Sequence, residues 1–384
     1  MIGAAAAIGQ LARRTSAGHA FPAGRTLVVT FSLVAAAFVL PLAWGQTKLQ
    51  DNPQANPQTK AQTKPKTERA PTYRLVELPL RPLAISDSGW VTGNTADHAA
   101  ARWSSQSGLE HISLPSEFVL SEGTGINSKG EAVGVAFTAD SSRSVAFLFR
   151  QGKTSLLPGE QSRADGINDA GEIVGQSRPP GQKAVGPVHW KNDTLLDLKI
   201  CCAGTAKRVN GNSQIVGDTY DLKGHYHAFL WDTEHGSRLL STAGEEYSSA
   251  LALNQRGEVV VRAVPGGLFL YSNGKSQPID APQAAVRGLN KDEVVVGSFG
   301  PKPEEQRAFV WDKAHGLRGL NALIAANSGW TLEVATSIND RGEIVGWGDH
   351  GETENAGFLL VPLGKGKIPP SKSSPAAPEQ APAR

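Results

Sequence analysis

The sequence predicts an all-β protein, a seven-bladed β-propeller built from four-stranded repeats of about 41 residues, and three observations carry that prediction. The phrase GINDAGEIVG at 166–175 is nearly repeated as GINSKGEAVG at 125–134 and inside SINDRGEIVG at 337–346. Aligned on its asparagine, the phrase recurs at Ser86, Asn127, Asn168, Asn210, Asn254, Asn290 and Asn339, in steps of 41, 41, 42, 44, 36 and 49 residues. Finally, the seventh copy stops at GFLLVPL (357–363) without a fourth strand, while an orphan apolar segment, YRLVELPL at 73–80, stands before the first copy. If that orphan joins the last blade, seven blades are complete and the ring is latched by its own ends, which removes open sheet edges.

Taken in chain order, the first element is an address. Arg13, Arg14 and Arg25 precede an apolar run from Leu27 to Leu42, followed by the small-residue site Ala43-Trp44-Gly45. Residues 1–45 therefore read as a secretory signal peptide cleaved before Gln46, and an extracellular or periplasmic location is expected. A retained N-terminal anchor is the alternative, although the run is shorter than the about 20 residues of a membrane span. Residues 46–72, rich in Gln, Lys, Pro and Thr, bury too little apolar surface to order themselves and read as a disordered linker; the tail 364–384 has the same character. The repeat domain is 73–363.

Within each copy the residue before the marker is apolar: Ile85, Ile126, Ile167, Val209, Leu253, Leu289, Ile338. Glycine stands three residues after the marker in five copies (Gly89, Gly130, Gly171, Gly257, Gly342) and seven after it in six (Gly93, Gly134, Gly175, Gly217, Gly297, Gly346). Asn and Gly tolerate positive φ, so N-x-x-G reverses the chain between two short strands. Apolar pairs such as Ile173-Val174 make the second strand one buried on both faces. A third strand ends in an aromatic ring in most copies (Phe149, Trp190, Trp231, Trp311), and a fourth follows a Gly- or Asn-bearing turn, as at Thr194–Leu198 and Ser276–Ile279.

At these residues the sequence resembles the extracellular HAF-repeat proteins. It carries the phrase His227-Ala228-Phe229-Leu230-Trp231, the IN-x-x-GEIVG phrase at 167–175 and 338–346, and the terminal SGWTLEVATSINDRGEIVG at 328–346. The resemblance covers most of 73–362 and implies export and a propeller-like fold. That family has no established activity, so it supplies no catalytic residues. Glu293 and Val261 replace the first and second glycines of copies six and five, and Ser86 replaces asparagine in copy one; altered turns are expected there. Trp-Asp pairs at 231–232 and 311–312 are shared with WD repeats, without the rest of that signature.

The charge balance, 38 Lys and Arg against 36 Asp and Glu, gives no field for attracting nucleic acid. No nucleic-acid partner, no cofactor, no metal and no membrane contact beyond the N-terminal segment is expected, and the chain reads as a monomer. Glu131, Glu172, Glu258 and Glu343 recur after the turn glycine and read as solvated turn residues rather than a carboxylate ring. His225 and His227 lie two apart and could face one way, but no third zinc ligand is evident. G-x-G-x-x-G at 346–351 lacks the strand-to-helix context a dinucleotide site needs. No nucleophile elbow, H-E-x-x-H, P-loop or EF-hand loop is present. The adjacent pair Cys201-Cys202 is either a vicinal disulfide, through a strained ring, or two small half-buried residues.

What remains is the variable loops (136–144, 176–186, 199–207, 218–226, 298–306, 321–335, 347–356), which in a propeller emerge on one face. Variable loops on a rigid scaffold are where binding sits. They carry Tyr220, His225, Tyr226, Trp330, Trp347, Asp349 and His350, groups suited to stacking on a sugar or anchoring a peptide. The alternative for Trp330 and Trp347 is core packing. The expected function is an exported, non-catalytic binding or interaction module for carbohydrate or a cell-surface protein. Its rivals are a glycan-active propeller lyase or hydrolase, with an acid/base pair spread across blades, and a structural surface protein.

Overall fold

The short β-branched runs and their glycine turns fold into seven four-stranded antiparallel sheets, each one repeat, arranged as a ring. The computed structural model describes residues 72–364 apart from 180, 182–183, 193, 201–202 and 241–244. The predicted signal segment, the linker and tail beyond Thr72 and Gly364, and the Cys201-Cys202 pair lie outside the described residues. Among the described residues no helix is long and apolar enough to cross a membrane.

The innermost strands of blades one to seven are Arg81–Ile85, Phe118–Ile126, Glu160–Ile167, Gly204–Val209, Tyr247–Leu253, Ala284–Leu289 and Trp330–Ile338. Each touches its two neighbours, and the seventh touches the first, so together they wall a central channel. The second and third strands of each blade hold the core. Phe147, Phe229, Phe309 and Phe358 are fully buried between sheets. The orphan segment completes blade seven as predicted: Tyr73–Leu78 pairs antiparallel with Thr353–Pro362, Tyr73 opposite Pro362 and Leu78 opposite Gly357.

The repeated phrase has a physical reason at each position. The asparagine Oδ1 caps its own turn: in Asn168 it accepts from the backbone N–H of Ala170 at 3.1 Å and of Glu172 at 2.9 Å. Its Nδ2 crosses to the next blade and donates to the marker's carbonyl there, at 3.1 Å from Asn127 to Asn168 and 2.9 Å from Asn168 to Asn210. The chain of bonds continues through Asn210, Asn254 and Asn290, and Asn339 closes it on Ser86 at 3.0 Å. Ser86 has no amide to pass it on, and Ser88 substitutes with a hydroxyl bond to Ser128 O at 2.8 Å.

The same geometry corrects the reading of the glutamates as solvated. Glu172 and Glu258 are only 4 % and 8 % exposed, because each accepts the second Nδ2 proton of its own asparagine, at 2.8 and 2.6 Å. The expected turn distortions are also absent. Glu293 and Ser213 take the left-handed φ of 58° and 57° that glycine takes elsewhere, and Asn290 still caps its turn at 3.0 Å.

The second glycine is dictated by close approach. Every inner strand carries a β-bulge just before its marker, which drives a backbone carbonyl towards the second strand. A Cβ on Gly175 would lie 2.0 Å from Arg163 O, and on Gly346 2.0 Å from Val334 O. The other side of the glycine receives the third-strand ring, since Gly217 pairs with Phe229 and Gly297 with Phe309. Where Val261 replaces that glycine, its partner Phe269 is only half-buried. The Trp-Asp pairs likewise turn out to be local caps. Asp232 accepts from His235 and Arg238, and Asp312 from His315 and Arg318, in the turn between third and fourth strands.

Candidate binding face and central channel

The N-x-x-G turns and the turns between third and fourth strands emerge on one face of the ring, and the predicted variable loops emerge on the other, here termed the loop face. All seven predicted ligand residues belong to the loop-face half of their blades, but they form two groups, in blades four and seven, with the channel between. Several sit in strand rather than loop. Trp330 opens the inner strand of blade seven, and Trp347, Asp349 and His350 lie within Ile344–His350, whose partner strand resumes at Thr353 after a two-residue turn. This blade's hairpin is simply longer than the others, which is why residues 347–356 looked like a loop.

In blade seven the rings are occupied by the protein itself. Trp330 stacks on His350 at 4.7 Å with an interplanar angle of 10°, and meets Phe358 edge-on. His350 Nδ1 lies 3.0 Å from Glu77 Oε2 on the closing strand. Trp347 lies beneath the guanidinium of Arg81, 4.1 Å from its ring centroid. Beside them Glu333 is half-buried, and its carboxyl is pushed above the usual range by burial and by the charge of Asp349.

Blade four is more open. Tyr226 and Tyr247 rings lie 5.2 Å apart, His225 packs on Tyr247 at 4.7 Å, and Tyr220 meets Tyr226 edge-on at 6.5 Å. Tyr247, from the first strand of blade five, was not foreseen. Tyr220 is 46 % exposed, so this aromatic group presents a face to solvent. His225 and His227 do turn the same way, both towards Asp221 Oδ2 at 3.6 and 3.5 Å. Burial opposes ionisation of Asp221, yet N–H bonds from His225 and Lys223 hold its carboxyl below the usual range. No group of three metal-ligating side chains is formed among the described residues.

The channel holds a set of charges that sequence reasoning missed. Arg163 is clamped by Asp165 at 2.7 Å and Glu122 at 2.9 Å. Burial works against its charge, but the two carboxylates outweigh it and raise its pKa. Lys207 binds Asp218 and donates to Ser249 Oγ at 2.9 Å. Those pairs engage the carboxylates of blades two to four. Among the described residues Arg81, Arg208 and Arg287 have no ion pair: Arg208 donates to Lys207 O at 2.8 Å, and Nε of both Arg81 and Arg287 is enclosed without a partner there. Burial lowers the pKa of all three, and in Arg287 the charges of Arg81 and Arg208 lower it further.

The signal for these residues was present in the sequence. They stand five, two and three positions before the marker, where copy two carries Glu122, Gly125 and Thr124; two before it every other copy has Gly, Ala or Ser, so Arg208 is a single departure. Invariant positions of a repeat build the ring; the positions that change along the innermost strand line its axis.

No family model matches the chain, and no curated relative matches it. Solved structures do resemble it. Virginiamycin B lyase from Staphylococcus aureus is similar over 76 % of this chain and 100 % of its own, with a TM-score of 0.51 at 11 % identity. The β-propeller domain of the Trilobed protease from Pyrococcus furiosus is similar over 78 % of this chain and 100 % of its own, with a TM-score of 0.50 at 10 % identity. The WD40 β-propeller domain of Doa1 covers 77 % of this chain and 97 % of its own, with a TM-score of 0.49 at 13 % identity. At these identities the likeness to the lyase and to the Pyrococcus domain shows the propeller fold. The Pyrococcus domain is described as having an open velcro topology, whereas the present ring is latched by Tyr73–Leu78.

Proposed function

We propose that the chain is an exported HAF-repeat protein acting as a non-catalytic binding module, with a carbohydrate bound on the loop face over blades four and five. The observation that carries this reading is the open group of Tyr220, Tyr226, Tyr247 and His225. Tyrosine offers an apolar ring for the C–H face of a sugar and a hydroxyl for its polar edge. Asp221, held ionised beside them, adds a hydrogen-bond acceptor.

The test is a thermal-shift panel on the full chain against soluble polysaccharides and peptidoglycan fragments, since a ligand that binds only the native state must stabilise it. A saccharide that raises the melting temperature of the wild type and not of Tyr220→Ala supports the reading. Because Tyr220 is exposed, that variant should melt like the wild type without ligand. A panel with no shift at all overturns the carbohydrate reading and points to a surface protein on this face, or to a structural role.

A second reading, a glycan-active enzyme, is favoured by one observation: Glu333, protonated more readily than an ordinary glutamate, is the kind of group that donates a proton to a leaving oxygen. Turnover of a bound glycan that is lost in Glu333→Gln with binding retained would establish it.

A further inference from the structure

We propose that the central channel binds a small ligand through a phosphate or carboxylate group, held between Arg81, Arg208 and Arg287. A guanidinium has five N–H donors and no acceptor, and taking one out of water without partners costs several kcal/mol unless an anion compensates. In this channel Arg163 and Lys207 show the compensated case, each bound to carboxylates at hydrogen-bond distance. Arg287 shows the other. It makes no hydrogen bond or ion pair within the described residues, and its Nε is out of contact with water.

Placement brings the three together. Arg81, Arg208 and Arg287 come from the innermost strands of blades one, four and six, so they enter the channel from different sides. Their fields overlap, since Arg81 and Arg208 both depress the ionisation of Arg287. Like charges within electrostatic reach of Arg287, with Glu122, Asp165 and Asp218 already engaged by Arg163 and Lys207, leave a position where an anion is more favourable than water. Trp347 stacks on the flat of Arg81 and leaves its edge donors free. Two carboxylates act on Arg81: Glu122, which Arg163 holds, and Glu333 of blade seven, whose own charge is disfavoured by burial and by Asp349.

The planar fork of arginine matches the two oxygens of a carboxylate or phosphate. The inner strands also close in behind the site. A Cβ on Gly125 would lie 3.2 Å from Gly166 Cα, and on Gly288 3.1 Å from Ile338 N, so adjacent inner strands pack closely near the asparagine ring.

The experiment titrates the full chain with inorganic phosphate and, separately, with citrate, reading the melting temperature against sodium chloride of matched ionic strength. Arg287→Met and Arg208→Gln are compared with the wild type, and Arg74→Gln, on the exposed outer strand, is the control. One of the two anions should raise the wild-type and Arg74→Gln melts beyond chloride, and which one does identifies the group. Either channel variant should weaken that binding by roughly tenfold or more. In anion-free buffer Arg287→Met should melt higher than the wild type, because it removes the unpaired charge. The proposal is overturned if neither anion outperforms chloride, or if both channel variants bind as the wild type does.

Discussion

The side-chain amide of Asn168 donates to the main-chain carbonyl of Asn210 at 2.9 Å, and so fastens blade three to blade four. The same side chain caps its own turn through two N–H groups and supplies its remaining proton to Glu172. One residue thus sets a turn and a blade interface together.

Asn168→Ala should therefore cost more than an ordinary cap. It strands two turn N–H groups and removes one of two donors from the Asn210 carbonyl and one from the buried Glu172 Oε2, which keep bonds from the Ser213 N–H and hydroxyl, and a loss of about 2–4 kcal/mol is expected. Urea unfolding midpoints at constant slope measure it.

Gly175→Ala should prevent native packing, because a methyl there meets the Arg163 carbonyl at 2.0 Å with no flexible group to yield. Gly342→Ala is the contrast. Its φ of +76° is unfavourable for alanine, but the nearest atom is Pro362 Cγ at 3.4 Å, so a cost of about 1 kcal/mol is expected. Soluble yield and circular dichroism separate the two.

Removing the chain through Leu78 exposes the edge of Thr353–Pro362 and uncovers the apolar surface under Leu78 and Val361. The melting temperature should fall by roughly 10 °C or more, with aggregation on heating. An unchanged melt would show that the ring holds without its latch.

Asp87 gives a pH signature. Its Oδ1 accepts the Asp340 N–H at 2.8 Å, yet burial, together with the charges of Asp340 and Asp169, raises its pKa above the usual value of 3.8. A raised carboxyl disfavours folding once it is forced to ionise, so the penalty is absent at low pH and grows as pH rises through the folded pKa. Asp87→Asn keeps the acceptor and removes the charge. It should melt above the wild type at neutral pH and together with it near about pH 3, where both side chains are neutral.

The sequence was most legible where every blade repeats the same contact. Asn168, Gly171 and Gly175 each do one job that only a few residue types can do, so their recurrence gave the blade count, the strands and the latch. Glu172 was misread because composition assigns glutamate to water; its burial is explained by partners the fold brings to it, the Nδ2 of Asn168, the Ser213 hydroxyl of the next blade and the Lys191 ammonium. Trp330 and Trp347 read either as binding rings or as packing, and in the fold they pack against His350 and Arg81. Arg208 and Arg287 went unnoticed because a repeat alignment hides single departures, and their meeting depends on ring closure between copies far apart in the chain.

The pairing of Tyr73 with Pro362 at the rim of blade seven also fixes how the ring responds to being pulled. The incoming and outgoing chain lie side by side there, with Leu363 N donating to Thr72 O at 2.8 Å. Tension between the two flanking segments would load that first pair alone, then the next, peeling the closing strand away like a zipper instead of shearing all its bonds at once. A ring closed by paired strands is in this one direction easily opened, because the pull enters at the single pair of Tyr73 and Pro362.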